Sequence, residues 1–258
     1  MDVESIPVTK PKIVVSTQII PDQSVLVLLT KTFGALEVID DSNPQKLLDQ
    51  IAVNDAMVTI EGPHGLDTLV FLDNGTYGGM FIPFVPGEEY HLYINSLALG
   101  EANATTQVKR KVNFSQISAE LFNNGYDDTL AEITYTFRDS LEDNWYMINV
   151  QEVELDDIVE NLLNPRAFTL LVPDDGFSGE AFGETFRVFP RDYSPGDTIS
   201  VSLSNISEAY YRFMKLRIDN RFSFVEFISE PVNYPSNVEG GAGYFNLYIP
   251  DVRIFVLE

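Results

Sequence analysis

The chain has 258 residues, 45% of them apolar, with 16 Lys and Arg against 39 Asp and Glu, a formal charge of -23 and no cysteine. That length and apolar content suit one large or two ordinary globular domains, not a disordered chain. The charge excludes electrostatic attraction to nucleic acid or anionic lipid, and the missing cysteine removes disulfides, thiolate nucleophiles and Cys-ligated zinc.

The N-terminus, "MDVESIPVTKPK", lacks the apolar stretch of a signal peptide, and no run approaches the ~18 apolar residues of a membrane helix. The chain is therefore expected to be cytosolic, or to have had a signal removed ahead of Met1. "KIVVSTQII" and "SVLVLLTKT" are β-branched or Leu-rich and predict buried strands. "NPQKLLDQI" predicts a short helix over Asn43 to Ile51, with Pro44 near its first position. In "TLVFLDNGTYGG", Asn74 and Gly75 predict a type I′ hairpin turn, which needs positive φ at both centres.

"VPGEEYHLYINSL" (Val85 to Leu97) predicts a strand opened by a type II-like turn, Pro86 setting φ and Gly87 supplying the positive φ that follows. The same unit recurs as "SPGDTISVSLSNI" (Ser194 to Ile206), which predicts one such strand in each of two domains. Between them, "GEANATTQVKRKV" (Gly100 to Val112) is polar and predicts the boundary. The fold class expected is all-β. An immunoglobulin-like β-sandwich takes residues 1–105, and a larger β-sandwich with short helical insertions takes residues 106–258. The basic cluster Lys109, Arg110 and Lys111 is expected to form a charged edge strand that discourages pairing with a neighbour. Docking of an acidic partner is the alternative.

Further along, "AEITYTF" alternates Ala131, Ile133, Tyr135 and Phe137 with polar residues, as a half-buried strand does. In "NWYMINVQEV", Tyr146, Ile148 and Val150 share one face and Trp145, Met147 and Asn149 the other. Trp145 is expected to pack, with stacking on a sugar as the alternative. "LDDIVENLLNP" predicts a helix ended by Pro165, and Asp174 and Asp175 an acidic turn, with calcium binding as the other reading although no EF-hand spacing follows. "TISVSLS" alternates Ile199, Val201 and Leu203 with serines, and "SEAYYRFMKLRI" predicts a helix capped by Ser207 with Tyr210, Phe213 and Met214 aligned.

The catalytic inventory is poor. His64 lies in a "GPHG" turn and His91 on the polar face of a strand, with no partner at metal-ligand spacing, so both are expected to be structural. No Gly-x-Ser-x-Gly elbow occurs. Gly240, Gly241 and Gly243 match neither G-x-G-x-x-G nor a P-loop. "YFNLYIPDVRIFV", which reads as strand, replaces the helix a phosphate cradle requires. These glycines predict a turn with Gly240 or Gly241 at positive φ. No catalytic, cofactor-binding or metal-binding residue is assigned, and no cofactor is expected.

The same stretch, "PVNYPSNVEGGAGYFNLY", resembles the closing signature of a Bacteroidetes-type envelope lipoprotein family, domain-of-unknown-function family forty-two forty-nine. "PKIVVSTQIIPDQSVLVLLTKT" is similar to its opening strand pair, "VNDAMVTI", "NGTYGG" and "PGEEYHLYI" resemble its first domain, and "NISEAYYRFMKL" its late helix. The resemblance implies export, a lipid on an N-terminal cysteine that this sequence lacks, and genes near TonB-dependent uptake systems. It supplies no catalytic residues. The function expected from it is a non-enzymatic, lipid-anchored accessory or ligand-binding component of nutrient uptake at the outer membrane or cell surface, with a periplasm-facing position as the alternative. Its partners would be a TonB-dependent receptor and a glycan or peptide ligand. The competing readings are an extracellular carboxylate-dependent glycan or peptide hydrolase and an adhesion module. Asp67, Asp128, Asp139 and Asp197 each open an Asp-Ser/Thr-aliphatic triplet that resembles the O-glycosylation motif of that phylum.

Overall fold

The computed structural model describes residues 10–20, 24–32, 44–123, 125, 129–153, 168–173, 176–188, 192–220 and 234–258. The helix expected after Leu155, the Asp174–Asp175 turn and Asp128 lie outside them. The chain forms two units, Met1–Val108 with Pro235–Leu247, and Lys109–Tyr234 with Tyr248–Glu258. Both are all-β sandwiches.

In the first unit, β1 (Ile13–Ile20), β2 (Ser24–Lys31), β5 (Val70–Asp73) and β6 (Thr76–Gly79) form one sheet with β16 (Gly241–Tyr244), in the order β16-β1-β2-β6-β5. The other sheet has the order β15-β8-β7-β3-β4, from β3 (Ala56–Gly62), β4 (Gly65–Thr68), β7 (Glu89–Ser96), β8 (Gly100–Gln107) and β15 (Val238–Glu239). Helix α1 (Pro44–Ile51) precedes β3. Val25, Val27 and Leu29 of the first sheet and Val58, Ile60, Leu92 and Ile94 of the second are buried and make the core. The Tyr77 hydroxyl links the layers, donating to the Val53 carbonyl (3.0 Å) and accepting from the Ala56 amide (3.0 Å). The Asn74–Gly75 turn has φ of 44° and 73°, the type I′ pair the sequence demands.

The second unit packs a sheet of order β13-β10-β9 on one of order β12-β11-β14-β17. Its strands are β9 (Phe114–Asn123), β10 (Thr129–Arg138), β11 (Trp145–Glu152), β12 (Phe168–Pro173), β13 (Ala181–Arg187), β14 (Thr198–Ile206) and β17 (Asp251–Val256). Ile133, Tyr135 and Phe137 of β10 face Tyr146, Ile148 and Val150 of β11 and Val201 and Leu203 of β14 in one core. Aromatic rings fill one end of it, with Phe137 and Tyr146 centroids 4.5 Å apart and Phe177 and Phe182 4.3 Å apart. Helix α2 (Glu208–Asn220) packs on β11 and β12. Met147, on the face of β11 opposite Tyr146, is buried, and Trp145 beside it is half-buried. The Ser207 hydroxyl accepts the Tyr210 amide (3.2 Å), so it caps α2 as its position predicts. Ser207→Ala should lower stability by about 1 kcal/mol in denaturant unfolding.

The two Pro-Gly units are repeated in hydrogen bonding as well as in sequence. Gly87 and Gly196 have φ of 88° and 98°, and Glu88 and Asp197 amides donate to Val85 and Ser194 carbonyls, both at 3.1 Å. Each glycine amide then donates to the residue just past the partner strand, Val108 in one unit and Leu257 in the other, both at 2.8 Å. A turn that opens one strand thereby clamps the end of the next.

The linear division at residue 105 needs correcting, because residues 235–247 belong to the first unit and not to the second. The expected continuous strand from Tyr244 onward is also interrupted, with residues 245–250 irregular before β17.

Burial raises the pKa of Tyr77 and Tyr90 in the first unit and of Tyr135 and Tyr248 in the second. The unfolded chain releases these protons from about pH 10 upward while the folded chain retains them, so stability should be full below that point and fall above it. Absorbance at 295 nm should show a late phenolate fraction that appears together with unfolding. Complete ionisation of a folded protein would contradict this.

Candidate functional site

The glycine-rich stretch is a strand switch. β15 pairs antiparallel with β8 (Val238 with Ala104, Glu239 with Asn103), and two residues later β16 pairs parallel with β1, Gly241 opposite Ile13 and Gly243 opposite Val15. Gly240, at φ 75°, carries the chain from one sheet to the other. A Cβ there would lie 2.5 Å from the Glu101 carbonyl oxygen, and one at Gly241 2.6 Å from that of Ile13. Gly243 combines φ of 89° with backbone of Val15 in its Cβ position. Asn237 pins the two arms: its side chain accepts the Phe245 amide (2.9 Å) and donates to the carbonyls of Phe245 (2.8 Å) and Thr105 (3.1 Å). The turn expected with positive φ at Gly240 or Gly241 is present, at Gly240, and the stretch does more than turn. It buries backbone against backbone.

The histidines are peripheral. His64 sits in the turn between β3 and β4, and His91 on β7 shares a hydrogen bond with Thr105 (2.9 Å) and lies 3.3 Å from Glu89. Changing both to Gln should alter stability by no more than about 0.5 kcal/mol. A loss of several kcal/mol in denaturant unfolding would contradict that placement. No cluster of His, Asp and Glu among the described residues is placed to hold a metal ion.

The second unit contains a cavity of about 340 Å³. It lies at the corner where the chain leaves β10 for β11, that is, where it crosses from one sheet to the other. Three segments build it. Lys109, Arg110, Lys111, Val112 and Asn113 come from the stretch leading into β9, and Ser115 from β9 itself. Arg138, Asp139, Ser140, Glu142 and Asn144 come from the end of β10 and the loop after it, and Asn205 from β14. Residues 108–113 are irregular, so the basic cluster is not the edge strand the sequence suggests. Its side chains line the cavity instead.

Asp139 organises the loop. It is 6% exposed and accepts hydrogen bonds from the Tyr146 hydroxyl, Asn144 Nδ2 (3.1 Å) and the Gly179 amide (2.9 Å). Asn144 also donates to Ser140 Oγ (2.8 Å) and the Glu142 carbonyl (2.6 Å), and accepts from Asn205 Nδ2 (2.9 Å). Asn205 is 5% exposed, and its Oδ1 has no hydrogen-bond partner among the described residues. Asp251, at the start of β17, holds the basic segment by accepting the Phe114 amide (3.0 Å) and lying 3.8 Å from Lys111 Nζ and 3.1 Å from Arg253. Lys109, Arg110 and Arg138 make no ion pair among the described residues. Lys and Arg number 16 in the whole chain, and four of them line this one cavity.

Sequence reasoning singled out the basic cluster but missed Arg138, Asn144 and Asn205. A signal for Asn205 exists, since it continues the core-facing row Val201, Leu203 and lies opposite Tyr146. A polar residue in that row is costly unless partnered. Of the triplets that resemble glycosylation motifs, Thr68 and Ser140 are exposed and Thr129 and Thr198 half-buried.

No curated protein matches the chain. Among solved structures, a two fibronectin type-III domain segment from chicken tenascin aligns with a TM-score of 0.23 at 10% identity, covering 76% of this chain and 91% of that one. The family model described as Domain of unknown function (DUF4249) matches residues 1–251. The chain therefore belongs to the DUF4249 family.

Proposed function

We propose that the protein is a non-enzymatic ligand-binding component of a Bacteroidetes-type cell envelope, held at the outer membrane by a lipid anchor and serving a TonB-dependent uptake system. The observation that carries the binding role is the polar cavity of the second unit, where Lys109, Arg110 and Arg138 have no ion-pair partner among the described residues and Asn113, Ser115, Ser140 and Asn205 complete the lining. The envelope and uptake roles rest on the family resemblance. The net charge of -23 supports covalent anchoring over adsorption, because an anionic bilayer repels such a surface.

Hydrolysis fits the cavity less well. Among the described residues it offers two carboxylates, Asp139 and Glu142, but Asp139 is committed to three donors and no described aromatic side chain lines the space to hold a sugar ring. In its native host, the protein should sediment with membranes in high salt, be released by detergent, and co-purify with an outer-membrane receptor. A lipid chain contributes about 0.8 kcal/mol per buried CH₂ and is insensitive to salt. Recovery from the cytosol, or from membranes by salt alone, would refute the reading.

A further inference from the structure

We infer that the cavity of the second unit takes a sugar acid of about one ring, its carboxylate met by Arg110, Arg138 and Lys109 and its hydroxyls by the amide and hydroxyl groups around them. This rests on the ligand-binding reading above and names the ligand class.

Three observations converge on it. The first is charge. In a chain of net charge -23, three consecutive cations and Arg138 share one cavity, and among the described residues only Lys111 of these has an ion-pair partner, Asp251 at 3.8 Å. Crowding like charges is unfavourable unless an anion completes the set. Arg is suited to a carboxylate because its planar fork can donate two parallel hydrogen bonds.

The second is the neutral polar lining. Asn113, Ser115, Ser140 and Asn205 line the cavity together with the cations. Asn and Ser side chains donate and accept hydrogen bonds and so match ligand hydroxyls, which a bare carboxylate or sulfate does not carry. Glu142 also faces the space, accepts hydroxyl donors and opposes a highly charged anion. The set therefore favours one negative charge with several hydroxyls.

The third is size. About 340 Å³ lies at the lower end of ligand cavities, roughly 300–1,000 Å³, and suits a single ring better than an oligomer. With no aromatic side chain among the described lining residues to stack on a neutral ring, the charge supplies most of the selectivity.

Calorimetric titration of the purified chain with glucuronate, galacturonate, glucose and inorganic phosphate, at low and at high salt, tests this. At least one uronate should bind, glucose should bind at least about tenfold more weakly, and salt should weaken the uronate. Arg110 and Arg138 are exposed, so the variant with both changed to Gln should fold normally and lose about tenfold or more in uronate affinity. Failure of both uronates to bind at about 10 mM, equal binding of glucose, phosphate binding in their place, or undiminished binding by the folded variant would each overturn the inference. The two readings fail separately. Uronate binding without receptor co-purification removes the uptake role alone, and co-purification without uronate binding removes the ligand class alone.

Discussion

Gly243→Ala is expected to destabilise the first unit by about 3 kcal/mol or more. Two costs combine there. The backbone φ of 89° is one that side chains with a Cβ rarely adopt, and the new Cβ would meet the backbone of Val15 across the parallel β1–β16 pair. Neither strand can retreat easily, because β1 is also paired along its length with β2. Gly87 separates the two costs. Its φ of 88° is nearly the same, but nothing lies within 4 Å of its Cβ position. Gly87→Ala should therefore cost only the backbone term, about 1 kcal/mol. Denaturant unfolding of both variants, with a probe in the first unit, measures the difference. Equal losses would mean that the strand switch is not closely packed.

Asp139→Ala should cost the second unit about 1–3 kcal/mol, because it removes the acceptor that holds the buried Tyr146 hydroxyl, while Asn144 Nδ2 keeps Ser140 Oγ and the Glu142 carbonyl and the Gly179 amide keeps the Ser140 carbonyl. The Tyr146 hydroxyl sits at the edge of the aromatic core and has little room to turn toward water. Asp139→Asn keeps the shape and one acceptor oxygen, so its loss should be smaller. The neighbouring exposed Asp143 is a control, and Asp143→Ala should change stability by less than about 0.5 kcal/mol. The pair also bears on the hydrolase reading. A catalytic Asp139 would tolerate Asn with stability intact and activity gone, whereas a structural one loses stability.

Local features were legible in the sequence wherever the physics is local. Alternation placed Ala131, Ile133, Tyr135 and Phe137 in the core, and Ile199, Val201 and Leu203 opposite them. Turn chemistry placed Asn74–Gly75 and both Pro-Gly units, and a hydroxyl before a helical pattern placed the Ser207 cap. What escaped depends on distant partners. Nothing in "NVEGGAGY" states that Val238 pairs with Ala104 or Gly241 with Ile13, so a linear division kept that stretch with its sequence neighbours. A run such as Lys109, Arg110 and Lys111 has the same composition on an edge strand and on a cavity wall. The site itself is assembled from the lead into β9, the end of β10 and one residue of β14, and only the fold brings these together.

The central claim is that a ligand is held in the cavity of the second unit by its basic wall. Backbone amide chemical shifts, followed while galacturonate or glucuronate is added to the isotopically labelled chain, test it most directly. The shifts should change in a saturable way at residues 109–115, 138–144 and 205, and remain unchanged around Gly240 to Gly243. Saturable changes confined to the first unit, or none anywhere, would contradict the account.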